Sequence, residues 1–214
     1  MPTVPAQVPE QPIRIPIPSE LRAEPLVLRP WSRDHAAALH GALLDNVEHL
    51  RPWMAWAADE PRQIEERVAL IDGWVEAMES GRELQCSLWL GERLAGSAGL
   101  MQRRGPRALV IGYWVDRRLT GRKVATTAAY LLTELAAATE GVERVQIWHD
   151  RANLTSRRVP EHLGYRLVRE LRSERPGQRC PGEDGVDCVW EMSTIDWVAG
   201  RDLRPVPQLG LPRS

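Results

Sequence analysis

The stretch from Ile111 to Thr127 constrains the fold more than any other part of the chain. Leu109, Ile111, Tyr113 and Val115 alternate with Val110, Gly112 and Trp114, which reads as a strand apolar on both faces and therefore buried. A polar, basic turn follows from Asp116 to Lys123. Val124, Ala128, Leu131, Leu132 and Leu135 then recur at helical spacing, and the pattern ends near Gly141. A strand passing through a short glycine-containing turn into a helix aims unsatisfied backbone N–H groups at one point. The helix dipole makes that point favourable for an anion. The expected geometry is a phosphate cradle.

The residues around the stretch bound what it can belong to. The chain has 214 residues, enough for one domain with a substantial core. Its formal net charge of -1 excludes a global basic signal for nucleic acid. No apolar run approaches membrane-spanning length and no apolar leader opens the chain, so a cytoplasmic protein with no membrane partner is expected. Cys86, Cys180 and Cys188 have no metal spacing, and neither do His35, His40, His49 and His162, so no metal is assigned. Free thiols in a reducing compartment are expected.

In chain order, residues 1–23 form a proline-rich arm in which Ile13, Ile15 and Ile17 suggest partial docking. Leu26 to Trp31 is a first strand. Ser32 is placed to cap a helix with Ala36, Leu39 and Leu43 as its apolar stripe. Trp53 and Trp56 cluster beside Pro52, as core or as a pocket wall. Pro61 is read as the start of a long helix closed by Gly81. Strands at 84–90, 94–101 and 109–115 follow in meander connections. After the central helix come a strand at 144–150, a short helix at 153–163, strands at 165–172 and 186–192, and a tail. The organisation is an arm at 1–23, one domain at 24–199 and a tail at 200–214. The fold class is α+β, with a mixed sheet.

The central stretch resembles the acyl-CoA loop of the GCN5-related N-acetyltransferases (GNAT), in the RimJ/RimL-like branch. That loop reads Gln or Arg, two residues, Gly, one residue, Gly or Ala. Here Thr120, Lys123 and Ala125 hold those places; Ala125 matches and the other two depart. The resemblance covers roughly 26–197. It implies a mostly antiparallel twisted sheet flanked by helices, whose two central parallel strands splay. It also implies acetyl-CoA or another acyl-CoA as cosubstrate, bound by Tyr113, Trp114, Val115 and Arg117, and by the turn Thr120, Gly121, Arg122, Lys123, Val124, Ala125 and Thr126. A side chain at Lys123, where the family has glycine, is expected to weaken CoA binding, because the backbone there lies against the pyrophosphate.

A second motif is Asp150-Arg-Ala-Asn-Leu-Thr-Ser156. By resemblance, Asn153 bonds the pantetheine arm and Ser156 protonates the departing thiolate; Asn153 is also a natural helix cap. Tyr165 is a spare hydroxyl, although core packing with a bonded hydroxyl suits it better. Candidates for the base that receives the amine's proton are Glu170, Glu174, His149 and Asp116. His149 is also read as solvated, because it alternates out of its strand's apolar face. Trp53, Trp56, Trp114 and His149 are the candidate acceptor contacts. Arg118, Arg157 and Arg158 extend a basic rim.

The expected function is transfer of an acyl group from CoA to a primary amine of a small molecule or a peptide N-terminus, by a monomer or homodimer. Two alternatives stay open: the same fold with a non-CoA donor such as aminoacyl-tRNA, or a non-catalytic binding module.

Overall fold

The alternating residues around Tyr113 do form a strand, and the rest of the sheet is built outward from it. In the computed structural model, which describes residues 13–103, 105, 107–173 and 179–211, the strands are β1 (Leu21–Ala23), β2 (Leu26–Pro30), β3 (Glu83–Leu90), β4 (Arg93–Met101), β5 (Ala108–Val115), β6 (Arg144–Asp150), β7 (Arg166–Arg172) and β8 (Val186–Ser193). They make one eight-stranded sheet in the order β1-β2-β3-β4-β5-β6-β8-β7. Every neighbouring pair is antiparallel except β5 with β6. The helices are α1 (Ala36–Leu50), α2 (Ile64–Glu79), α3 (Val124–Ala137), α4 (Leu154–Leu163) and α5 (Thr194–Ala199).

The parallel pair defines the site. Its register runs from Ala108 opposite Arg144 to Ile111 opposite Ile147 and stops there. Beyond that point β5 stays paired with β4 as far as Val115, and β6 stays paired with β8 as far as Asp150. The two strands therefore part at residues 112–115 and 148–150, with α3 as the crossover between them. This is the expected splayed, mixed sheet. It also explains why β5 is buried along 108–111 and only half-buried along 112–115.

Each face of the sheet carries its own apolar layer. Leu109, Ile111, Val145 and Ile147 pack with Ala128 and Leu132 of α3. On the other cluster, Trp31, Leu39, Leu43, Leu50 and Ile71 join α1 and α2. Burying each such leucine or isoleucine contributes about 1.5–3 kcal/mol. Ile15 joins the first layer at 2% exposure and donates its N–H to Gly81, whereas Ile17 is 48% exposed.

Several boundaries differ from the sequence reading. Ser32 makes no side-chain cap; a short 3-10 turn, Arg33–His35, intervenes before α1. Helix α2 starts at Ile64 because Gln63 and Glu66 form a reciprocal capping box. Strand β1 and helix α5 were not anticipated; each is too short to show a period. Among the described residues no helix is long and apolar enough to cross a membrane.

Candidate active site

A cavity of about 400 Å³ opens where β5 leaves β6. Tyr113, Trp114 and Val115 form one wall, and the turn and first residues of α3, including Thr120, Gly121, Lys123, Val124, Ala125 and Thr126, form the second. Asn153, Ser156, Arg158 and His162 come from α4 and its cap.

The turn is held from behind. The Asp116 carboxylate is 2% exposed and accepts from the Arg118 N–H at 2.8 Å and from Arg93 Nη2 at 2.8 Å. Burial alone would raise its pKa, but the hydrogen bonds from Arg118 and Arg93 more than offset that and hold it below the usual carboxylate range. Asp116 is thus an anchor, not a base. The Asn46 side chain, fully buried, accepts from the Arg117 N–H at 2.8 Å. Gly121 and Lys123 both have positive φ, 76° and 64°. Lys123 therefore keeps the left-handed conformation a glycine would supply. It stands at the N-cap of α3 and gives no side-chain cap. The first intrahelical bond runs from the Thr127 N–H to the Lys123 carbonyl at 2.8 Å, so the preceding N–H groups have no partner within the helix.

Two expected contacts fall outside the cavity's lining. Arg117 and Arg122 do not line this cavity. Arg122 turns away, donating from Nη1 to the Gly210 carbonyl at 3.0 Å and from Nε to the Arg118 carbonyl at 3.3 Å. The Gly210 N–H returns to the Arg122 carbonyl at 3.2 Å, and Thr127 Oγ1 donates to Pro207 at 3.0 Å. The segment 205–211 thus lies along the turn, with Leu209 and Leu211 against the core. Arg118 and Arg157 are also engaged, with Asp116 and Asp45, and with Glu161.

At the base of the cavity the Asn153 side chain accepts from the Ser156 N–H at 3.0 Å and caps α4. Ser156 Oγ lies 2.9 Å from the Tyr113 hydroxyl. Burial pushes the Tyr113 hydroxyl pKa well up, against the opposing hydrogen bond from Ser156. Tyr165 is elsewhere: it is 4% exposed, its hydroxyl is 2.7 Å from that of Thr133, and it lines neither cavity. It is a core residue with a satisfied hydroxyl rather than a reacting group.

A second cavity, about 640 Å³, meets the first at Tyr113, Trp114, Asn153 and Ser156. Trp53, Trp56, Trp114 and His149 all line it. His149 is not solvated as expected but 7% exposed. Its Nε2 accepts from the Trp190 indole at 2.9 Å and its Nδ1 lies 2.8 Å from the Asp150 carbonyl. That pairing fixes a neutral ring with its proton on Nδ1. Burial lowers its pKa, the Asp150 bond opposing. Both nitrogens are occupied, so His149 is a wall and not a base.

Glu170 also stands apart from the cavities. It lies on β7, separated from β6 by β8, lines neither cavity, and faces Arg151 at 3.9 Å. Glu174 falls outside the described residues. Among the described residues, the carboxylates lining the larger cavity are Glu60, Asp150, Glu183 and Asp187. Glu60 pairs with Arg67, both side chains only 2% exposed. Asp150 accepts three backbone N–H groups, from Ala152, Asp184 and Gly185. Gly182 packs closely against Pro52: its N–H donates to the Pro52 carbonyl at 3.0 Å, and an added Cβ would come within 2.8 Å of that oxygen. Trp74, Trp148, Glu183 and Asp187 were missed by sequence reasoning. Trp74 reads as helix core, and the others gain their place only through strand order.

Residues 25–166 match the acetyltransferase (GNAT) domain family. The chain is 24% identical over 143 residues to the "Putative ribosomal N-acetyltransferase YdaF" of Bacillus subtilis (strain 168), an alignment spanning 66% of this chain and 78% of that one. Its fold is similar to RimL, a ribosomal L7/L12 alpha-N-protein acetyltransferase solved with coenzyme A (TM-score 0.71, 20% identity, 84% of this chain and 97% of that one). It is similar also to Mycobacterium smegmatis RimJ solved with a CoA disulfide (TM-score 0.69, 22%, 85% and 93%). A third similar structure is the microcin C7 self-immunity acetyltransferase MccE with acetyl-CoA and AMP (TM-score 0.72, 17%, 80% and 93%). With the family match spanning most of the chain, and the splayed strands and the turn before α3 inside it, the chain belongs to the GNAT acetyltransferase family.

Proposed function

We propose that the protein moves an acetyl or related acyl group from acyl-CoA to the primary amine of a small molecule or a peptide N-terminus, by direct attack. The observation that carries this reading is the meeting of two cavities at one hydroxyl pair, Tyr113 and Ser156. The smaller cavity suits the donor: the uncapped start of α3, with Lys123 and Arg158 beside it, favours phosphate. The similar structures of RimL and MccE, which hold CoA and acetyl-CoA, support that assignment.

The chemistry is redox-neutral. The neutral amine attacks the thioester carbonyl carbon, the C–N bond forms and the C–S bond breaks. The electron pair leaves on sulfur, where the Ser156 or Tyr113 hydroxyl stabilises it. A thiol holds its proton less tightly than Tyr113 does here, so this hydroxyl serves as a hydrogen-bond donor to the thiolate rather than a full acid. The amine's proton leaves toward Glu183, Asp187 or water. Neither Cys86 nor Cys188 is set up as a nucleophile; burial raises the Cys86 thiol to about 12 and raises Cys188 as well. The commitment of Arg118, Arg122 and Arg157 to protein partners argues against a charged-tRNA donor, which would draw on them.

The test is calorimetric titration with acetyl-CoA, followed by release of free CoA thiol in the presence of amines. Saturable binding and amine-dependent thiol release are expected. No heat and no thermal stabilisation with acetyl-CoA would overturn the donor assignment.

A further inference from the structure

Helix α1 contributes to the walls of both cavities. Leu39 and Leu43 line the larger one, and His49 and Leu50 line the smaller. Its buried stripe runs Ala36, Leu39, Leu43, Asn46 and Leu50, so a polar side chain stands at a core position between the two walls. Asn46 is fully buried and lines neither cavity. Asparagine is a weak helix former, and a buried amide costs stability unless it is bonded. Leucine would continue the stripe. What asparagine adds is a pair of bonds: Nδ2 donates to the Ala42 carbonyl at 2.8 Å, and Oδ1 accepts from the Arg117 N–H at 2.8 Å.

The second bond reaches the donor turn where the chain leaves the sheet. Arg117 opens the 3-10 turn Arg117–Leu119, directly before Thr120 and Gly121 of the smaller cavity. The neighbouring N–H groups find their partners without α1. Asp116 donates to Ala95 on β4, Arg118 to the Asp116 carboxylate, and Leu119 to the Asp116 carbonyl. The Arg117 N–H is met by Asn46. Arg118 also reaches Asp45 of α1, but that ion pair is half-exposed and contributes little. Asn46 is therefore a buried polar link from α1 to the turn.

We propose that Asn46 is a positioning residue for the acyl donor: by holding the Arg117 N–H it keeps the turn in its cradle shape before the donor arrives. This rests on the acyl-transfer reading above. Without the bond, the Arg117 N–H loses its partner and the turn samples other shapes. Donor binding must then restore the order. The observed Kd rises by the inverse of the fraction of molecules whose turn is in place.

The experiment titrates acetyl-CoA calorimetrically into the full chain and follows amide hydrogen exchange over residues 116–127. Asn46→Ala should raise the acetyl-CoA Kd by about fivefold, equivalent to about 1 kcal/mol. Amides of the turn should exchange faster while those of β4 keep their protection. An ordinary loss of stability would lower the fraction of protein that binds and leave its Kd alone. Arg117→Pro removes the same bond from the other side. Proline suits this place, because Asp116 before it has an extended ψ of 131°. Its Kd should exceed that of Arg117→Ala, which keeps the N–H, by about fivefold. The double variant Asn46→Ala/Arg117→Pro should bind no worse than Arg117→Pro alone, since the bond is already gone. An unchanged Kd in Asn46→Ala, equal values for Arg117→Pro and Arg117→Ala, or additive losses in the double variant overturn the proposal. If the wild type binds no acetyl-CoA, the donor reading falls and exchange decides for the turn. Faster exchange in Asn46→Ala then upholds the hold from α1, and unchanged exchange overturns it.

Discussion

Tyr113 and Ser156 meet hydroxyl to hydroxyl at 2.9 Å, one from a strand and one from the first turn of a helix, at the junction of both cavities. Neither position is left to chance. Tyr113 is fixed by its pairing opposite Ala98 on β4, and Ser156 by the Asn153 cap on its own N–H. Ser156→Ala keeps that cap, because only the hydroxyl is removed. It should lower kcat by about ten- to a thousandfold with little change in KM for acetyl-CoA. Tyr113→Phe should cost less, about tenfold, if Ser156 is the direct donor. Wild-type turnover in Ser156→Ala would transfer the role to Tyr113 or water. Asn153→Ala should instead destabilise the fold by about 1 kcal/mol as a lost cap and weaken donor binding.

The neutral state of His149 gives a pH signature. Its folded pKa lies below its ordinary 6.5, chiefly from burial. The unfolded chain therefore binds the extra proton first, and stability falls as pH drops below about 6.5 toward the folded value. Asp116 acts in a separate, lower window: its folded pKa is depressed, so its contribution is lost only as pH falls beneath 3.8. Melting curves between pH 8 and 5 should show a declining Tm for wild type and a shallower decline for His149→Gln. Some slope will remain, since burial also lowers His35 and His49. Identical slopes would mean that His149 gains its proton without cost in the fold.

Much of the frame was legible in sequence because it rests on local periodicity. The strand through Tyr113, the helix from Val124 and the Asn153 cap each announce themselves within a few residues. What was not legible depends on strand order. Glu170 follows α4 directly in sequence, yet β8 inserts between β6 and β7 and carries the edge strand away from the cavities. The same insertion brings Asp187 opposite Asp150 and to the cavity wall. Arg122 was read as a phosphate ligand from its place in a basic turn; its partner Gly210 lies far along the chain. His149 alternates out of the apolar face, but Trp190 on β8 supplies a donor that makes burial affordable.

The contact between Arg122 and Gly210 predicts an effect on the donor from a segment that lines neither cavity. Ending the chain after Arg204 removes the Gly210 and Pro207 bonds to the turn and the packing of Leu209 and Leu211. Two or three hydrogen bonds of about 1 kcal/mol each are lost from the residue preceding Lys123 and from the first turn of α3. KM for acetyl-CoA should rise by about threefold or more while kcat changes little, and Tm should fall by a few degrees, about what 1–2 kcal/mol costs a domain of this size. Arg122→Ala tests the same contact without truncation. A lower Tm with unchanged KM would make the segment a stabilising strap with no bearing on the donor.

Lys123 offers the sharpest test of how this chain handles a phosphate. Its φ of 64° and ψ of 12° give the turn the backbone shape that glycine adopts without strain. A residue with a Cβ held there costs about 1 kcal/mol or more. Its side chain also lines the smaller cavity, at the point where the first N–H groups of α3 are directed. Two effects oppose each other on donor binding. The ammonium group adds a favourable charge for phosphate, worth about 0.5–1 kcal/mol at such a half-open site. The Cβ and stem hold the phosphate off the backbone N–H groups, which loses charge-assisted hydrogen bonds of about 1.5–3 kcal/mol. On these magnitudes the steric effect wins, so Lys123→Gly should bind acetyl-CoA more tightly than wild type. Lys123→Ala keeps the Cβ and drops the charge, so it should bind most weakly of the three. Calorimetric titration of all three proteins reads the order directly. If the glycine variant binds no tighter and alanine binds weaker, the ammonium is a direct phosphate contact that substitutes for the lost backbone approach, and the steric argument fails.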